Sequence, residues 1–272
     1  NQIHQPCPDC GSSDALAIYE TNSYCFSCKQ WKPLDDERTD MKANTQAKPI
    51  PHSRQELGAN YRKPNFTAIE DRHIELETCR KYGVQTSTNR QDQDIHIYPY
   101  YSKEREHVIN KVRVVDEKKF YSEGESGVDT TLFGQQLFKE GGKFITVCEG
   151  EIDSLSAYQM LGSKWPVVSV RNGAASAPSE IKRNLDYLET FQNIVLCFDS
   201  DPAGQKAVKE IANLLEPGKC KIMHLSRKDA NEYLMEGKSQ SFVNDFWNAR
   251  TFTPEGIICG PDLRDRLLSD QV

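Results

Sequence analysis

The sequence predicts an α/β protein in three stretches: an N-terminal four-cysteine zinc ribbon, a flexible linker, and a core whose α+β subdomain precedes a parallel-sheet domain. Three observations predict it. Two C-x2-C pairs stand within residues 1–34. Residues 35–63 carry almost no aliphatic side chains. From Gly142 onward, short apolar runs alternate with helical ones, the pattern of a sheet built from βαβ units.

The 272 residues hold 34 Lys+Arg against 40 Asp+Glu, a net charge of −6. That balance excludes a protein that coats nucleic acid by bulk charge, though not one with a local basic groove. No apolar run approaches the ~18 residues of a membrane helix, so no membrane partner and a cytoplasmic location are expected. Nine cysteines are present. Five of them (Cys79, Cys148, Cys197, Cys220 and Cys259) are scattered, which fits a reducing compartment rather than a disulfide scaffold.

Cys7-Pro8-Asp9-Cys10 and Cys25-Phe26-Ser27-Cys28 give the ribbon (residues 1–34) its zinc ligands. Thiolates two residues apart suit adjacent corners of a tetrahedron, and two such knuckles close a structural site with no open position for catalysis. Residues 35–63 are rich in charge, Asn, Gln and Pro, and cannot bury enough apolar area to offset the entropy of ordering them. As a coil their ends would lie on the order of 30 Å apart.

The core spans 64–250. In its first subdomain (64–142), Phe66, Ile69, His73, Leu76 and Tyr82 suggest a helix over 66–82. Ile95–Tyr98, His107–Val115 and Lys119–Tyr121 read as strands. Alternation along the second of these puts Ile109, Lys111, Arg113 and Val115 on one face, with the two cations side by side. In 143–250, strands are expected at 144–148, 167–170, 194–198 and 220–225, and helices at 151–161, 179–191, 203–215, 229–236 and 241–249. The strands are apolar without alternation, as in a parallel sheet covered on both faces. Residues 251–272 read as a tail with a short polar helix at 262–268.

Ligands bind beyond the carboxyl ends of strands in such sheets. Glu149-Gly150-Glu151-Ile152-Asp153 follows the first strand, Asp199-Ser200-Asp201-Pro202-Ala203-Gly204 the third, and Lys228-Asp229-Ala230-Asn231-Glu232 the fourth. Three acidic clusters at equivalent positions suit a hard divalent cation that combines one or two carboxylates with substrate phosphates. Any one of them alone would be read as a helix-dipole partner.

The first two acidic segments resemble a Toprim domain, the metal-binding fold of primases, topoisomerases and some nucleases. With the ribbon in front, the chain resembles the primase half of the bifunctional primase–helicases of T-seven-type bacteriophages. Asn110-Lys111-Val112-Arg113, Leu132-Phe133-Gly134, and Arg72 with Glu77-Thr78-Cys79 add to the likeness.

The resemblance implies a DNA primase, a DNA-directed RNA polymerase that makes short RNA primers on single-stranded DNA from nucleoside triphosphates. Glu149 would act near the 3′-hydroxyl as metal ligand or base. Asp199 and Asp201 would hold Mg²⁺ or Mn²⁺, with Asp229 as a further acidic member. Lys111, Arg113 and one of Lys118 or Lys119 would meet phosphate, with Arg72 a further nucleotide- or template-binding candidate. The segment before Lys119 is one residue longer than in the relative, so Lys118 and Lys119 are not ranked. The ribbon would read a short template signal. Asn22 stands where the coliphage-type protein carries a histidine, and Asn can pair with adenine, each good pair worth about 1–3 kcal/mol of discrimination. No G-x4-G-K-[ST] loop occurs, so no helicase motor is expected within this chain; a helicase domain or replication proteins are the expected partners, with residues 251–272 leading toward the motor. The alternatives are a Toprim nuclease, for which the same acids would serve, and a non-catalytic module that binds single strands. The Lys111/Arg113 strand favours a nucleotide substrate.

Overall fold

In the computed structural model the described residues are 2–18, 22–28, 30–33, 57–58, 60–124 and 127–253. They fall into two compact units, residues 1–50 and 51–272. No helix among them is long and apolar enough to cross a membrane.

The first unit is an antiparallel sheet of β1 (Gln2–Gln5), β2 (Leu16–Ile18), β3 (Asn22–Cys25) and β4 (Trp31–Pro33), in that order. A unit this small buries little apolar surface. Among its described residues Cys7, Ala17 and Cys25 are buried. Tight turns follow β1 and β3, where Gly11 N donates to Cys7 O at 3.0 Å and Cys25 N to Gln30 O at 2.9 Å. These turns bring the two cysteine pairs together.

The second unit opens with α1 (Leu76–Tyr82), followed by β5 (Gln85–Thr88), β6 (Asp94–Tyr101), β7 (His107–Val114) and β8 (Lys119–Gly124), an antiparallel meander in chain order. Of the helix expected over 66–82, only the last seven residues are helical. Residues 70–72 make a single 3-10 turn, His73 takes a left-handed conformation at φ 56°, and Glu75 is extended. The paired Ile69 and Ile74, 2% and 1% exposed, replace helical packing there with a tight turn. The polar β5 carries no alternation and gives no strand signal in the sequence. It forms because its backbone completes the edge of β6. Pro99 is tolerated within β6 because β5 pairs only as far as Ile97, leaving that side of Pro99 free of a ladder partner.

The expected linker also ends earlier than 63. Most of it lies outside the described residues, but Gly58 N donates to the buried Glu123 at 2.9 Å, and Tyr61 bridges Asn89. Tyr61 also packs against Ile95, Ile97, Val112 and Val114, the outer face of the meander.

The remaining elements form the parallel-sheet half: β9 (Ile145–Cys148), α2 (Glu151–Met160), β10 (Val167–Ser169), α3 (Ala177–Arg183), α4 (Leu185–Leu188), β11 (Ile194–Cys197), α5 (Pro202–Ala212), β12 (Cys220–Ile222), α6 (Ala230–Met235), α7 (Ser239–Trp247) and β13 (Arg250–Thr251). The strand order is β10-β9-β11-β12-β13, all parallel except the antiparallel edge strand β13. The helix expected over 179–191 is broken at Asn184, whose buried side chain turns back to donate to the Glu180 carbonyl at 2.9 Å. The fourth strand stops at Ile222 rather than Leu225. The polar helix expected at 262–268 lies outside the described residues.

One core fills the face shared by α1, α2, α6, α7 and the inner side of the meander, through Tyr82, Tyr98, Phe133, Leu155 and Tyr233. Another fills the opposite face, under α3, α4 and α5, through Ile181, Leu188, Val208 and Ile211. Hence α2, which follows β9, and α5, which follows β11, lie on opposite faces of neighbouring strands. Such a switch point opens a crevice at the carboxyl end of the sheet.

Candidate active site and zinc site

The four thiol sulfurs of Cys7, Cys10, Cys25 and Cys28 lie within 4.8 Å of one another. Cys7 and Cys28 Sγ are 3.9 Å apart, and Cys10 and Cys25 Sγ 3.7 Å. Four sulfurs bound to zinc at the usual length stand about 3.8 Å apart, so spacing and donor type both fit a closed structural zinc. The backbone N–H of Cys28 lowers the Cys25 thiol, while burial and the three neighbouring sulfurs raise Cys28, the opposed shifts of thiols crowded together.

Stripping the metal, or Cys7→Ser with Cys28→Ser, is expected to unfold this unit and leave the melting of residues 51–272 unchanged. Metal analysis together with two-probe melting checks it. One zinc per chain is expected, and a single transition covering both units would contradict it.

At the β9/β11 switch point, Glu149 and Asp199 sit just beyond the two strand ends. They line a cleft of about 400 Å³, with Glu151, Asp153 and the 171–173 loop forming its walls. Asp201 caps α5, accepting from Gly204 N at 2.8 Å, and Asp229 caps α6, accepting from Glu232 N at 2.9 Å. Neither carboxylate lines the cleft itself, but both stand close enough for their charge to raise the Asp199 carboxyl. Glycine is required at 204: a Cβ there would stand 2.4 Å from the Asp199 carbonyl and 3.1 Å from Glu149 Oε2.

The acids raise one another's pKa. Burial, then Glu149 and Asp229, push the Asp199 carboxyl up to about 7. Burial, then Asp229 and Asp199, push Asp153 up to about 8. Burial chiefly raises Glu149 as well. Its Oε2 is buried with no hydrogen-bond partner. Crowded carboxylates with an orphaned oxygen fit a divalent cation. Among the described residues only the four thiolates come within 4.8 Å as a set. The wider spacing of the acids suits an ion that takes one or two carboxylates and completes its shell with phosphate and water.

A pH signature follows. Asp199 and Asp153 keep protons in the folded state that the unfolded chain, with an ordinary value of 3.8, has released. Their contribution to stability is therefore lost as pH rises toward about 8. His96, pushed down to about 4 by burial, acts with the opposite sign below its ordinary value of 6.5. Without metal, the melting temperature should fall between pH 6.5 and 8, and Mg²⁺ or Asp153→Asn should flatten that slope. Differential scanning calorimetry at low salt reads it; a metal-free slope that rises through this window would contradict the assigned electrostatics.

The opposite wall is the inner face of the meander. Register places Lys111 beside Tyr98 and Ser122, and Arg113 beside His96 and Phe120. Lys111 Nζ pairs with Glu151 at 2.7 Å, donates to the Arg171 carbonyl, and lies 4.7 Å from the Phe120 ring centroid. Glu151, 5% exposed, also accepts from Tyr100 OH at 2.5 Å. Arg113 Nε is buried without a partner, and its guanidinium lies 5.9 Å from the same ring.

Lys111 is therefore brought to the acids, while Arg113 lies beside it against Phe120 but outside the cleft lining, and the other expected residues stand elsewhere. Val115 lies past the end of β7 and does not extend the inner face. Lys119 pairs with Val114, which puts it on the outer face, 2.5 Å from Glu117. Lys118 occupies the hairpin turn at φ 52°. Arg72 is held at 3.3 Å by Asn231 Oδ1 and by Asp71, outside the cleft lining. Asn22 opens β3, its backbone paired with Pro33.

Glu151 and Asp153 belong to the acidic segment visible in the sequence, but nothing local distinguishes them from helix-dipole partners. Tyr100 and Arg171 gave no signal. Their contacts exist only where the meander meets the sheet.

A parallel sheet with acids at its switch point, in a chain that also carries a four-thiolate ribbon, defines a Toprim-class protein. The Toprim-like family matches residues 146–234. The chain is 36% identical over 274 residues to the DNA helicase/primase of Enterobacteria phage T3, an alignment covering 97% of this chain and 47% of that protein. It thus spans about half the length of that curated relative. The crystal structure of the primase fragment of the bacteriophage T7 primase-helicase protein matches with a TM-score of 0.65 and 34% identity, covering 90% of this chain and 98% of that one. The zinc-binding and RNA polymerase domains of the Aquifex aeolicus primase share the fold, with a TM-score of 0.53 at 16% identity, over 68% of this chain and 55% of that one. The chain belongs to the family of phage primase–helicase proteins and corresponds to the primase part.

Proposed function

We propose that this chain synthesises short RNA primers on a single-stranded DNA template from nucleoside triphosphates, in concert with a helicase domain. The observation that carries this reading is the single cleft with two charged walls. Carboxylates at the carboxyl ends of β9 and β11 share the cleft with Lys111 on β7, and Arg113 stands two residues further along the same strand face.

Glu149, Asp199 and Asp201 would hold Mg²⁺ or Mn²⁺, with Asp229 contributing from the N-terminus of α6. A bound divalent ion supplies charge neutralisation between the attacking oxygen and the triphosphate. Glu149 would act near the primer 3′-hydroxyl as metal ligand or base, a reading supported by its buried, unpartnered Oε2. Lys111 uses two of its three N–H donors on Glu151 and Arg171, so one remains for a phosphate oxygen. Arg113, with an unpaired Nε, provides the second cation. The ribbon would read the template signal, Asn22 being the candidate base contact.

Incubating the protein with single-stranded DNA, labelled ribonucleoside triphosphates and Mg²⁺ tests the proposal. Short RNA products are expected. Cut DNA would favour the nuclease, and neither product the binding module.

A further inference from the structure

Glu180 lies in the first turn of α3 and is 5% exposed, far from either charged wall in sequence. Both of its carboxylate oxygens are taken up by one loop. Oε2 accepts from Arg171 N at 2.6 Å. Oε1 accepts from Asn172 N at 3.2 Å, Asn172 Nδ2 at 2.8 Å and Ser176 Oγ at 3.2 Å. An ionised acceptor meeting successive backbone N–H groups makes strong, short-range hydrogen bonds and holds the loop in one conformation, including the left-handed turn at Gly173, φ 72°.

That loop touches both halves of the proposed site. The Arg171 carbonyl accepts from Lys111 Nζ, and the Arg171 guanidinium donates to Ser122 Oγ at 2.9 Å and lies 5.4 Å from the Tyr100 ring centroid. Three residues on, Ala174 N donates to Glu149 Oε1 at 3.4 Å. Lys111 and Glu149 thus share one brace, and Glu180 locks it.

We propose that Glu180 is a positioning residue that sets Lys111 and Glu149 relative to one another through the Arg171–Ala174 loop. The proposal rests on the primase reading of the cleft. Glu180→Gln keeps the size of the side chain but puts an NH₂ against a backbone N–H. The loop should then lose one anchor while the fold persists. Outer-shell groups that orient metal ligands typically contribute 10–100-fold to affinity or activity. Accordingly, Glu180→Gln should weaken Mn²⁺ binding by about 10-fold and raise the Mg²⁺ needed for half-maximal primer extension by a similar factor.

Mn²⁺ binding is read from the free-ion EPR signal with the full chain, beside extension of a supplied oligoribonucleotide. A merely structural role would lower the melting temperature and leave the metal dependence of the folded fraction unchanged. Should Glu180→Gln fail to fold, Asn172→Ala removes one anchor from an exposed side chain, and a 2- to 5-fold weakening, about half a kcal/mol to one, is expected. Wild-type Mn²⁺ affinity in the folded variants overturns the proposal. A wild-type protein that binds no Mn²⁺ and extends no primer overturns the primase reading, and this inference with it.

Discussion

Glu149→Gln, Asp199→Asn and Asp201→Asn are each expected to lower primer synthesis by about 100- to 1,000-fold, since cation chemistry of this kind contributes several kcal/mol and each 1.4 kcal/mol is tenfold in rate. The three should differ in stability, which separates loss of charge from loss of fold. Asp199 stands among like charges that push its carboxyl up to about 7. Removing its charge relieves repulsion, so metal-free Asp199→Asn should melt no lower than the wild type at pH 8. Asp201 caps α5 through Gly204 N. Asn caps as well as Asp, so Asp201→Asn should keep the helix, whereas Asp201→Ala should cost about 1 kcal/mol more. Ribonucleotide incorporation and thermal melting in parallel give both readings. Near-full activity of Asp201→Asn at low Mg²⁺ would remove that residue from the site.

Deleting residues 1–50 is expected to abolish template-selective initiation while leaving metal-dependent extension of a supplied oligoribonucleotide. Glu149, Asp199, Asp201, Asp229, Lys111 and Arg113 all lie in the second unit. The cut belongs at 50 rather than near 60, because Gly58 hydrogen-bonds to the buried Glu123 and Tyr61 packs on the meander. A longer deletion would leave Glu123 short of a donor, at a cost of about 1–3 kcal/mol. Initiation assays across a library of template triplets read the outcome. Selectivity that survives the deletion would place recognition in residues 51–272. In the intact chain, Asn22→His should change the preferred triplet; an unchanged preference would assign the choice to another ribbon residue.

The cysteine knuckles, the apolar strands and the three acidic clusters were legible because each is a local pattern. C-x2-C spacing, unalternating Val/Ile runs and carboxylates directly after them need no knowledge of distant residues. The pairing of Lys111 with Arg113 was legible as well, from alternation along one strand. The helix over 66–82 failed because loose helical spacing also describes a turn packed by Ile69 and Ile74. β5 failed because its polar side chains carry no period, and its existence depends on the edge of β6. Lys118 and Lys119 could not be ranked from sequence. Register with Val114 puts Lys119 on the outer face.

By itself, then, the sequence determined the kinds of chemistry present: a thiolate metal site, a ring of acids at strand ends and a basic strand. Tertiary structure decided which groups meet. Glu151 becomes the partner of Lys111 only where the meander packs on the sheet, and Glu180 reaches the cleft only through a loop closed by its own carboxylate. The reason is physical. Ligand type and strand periodicity are properties of neighbouring residues. The pKa of a carboxylate, the partner of an ammonium and the exposure of a lysine depend on charges and surfaces brought together by segments far apart in the chain.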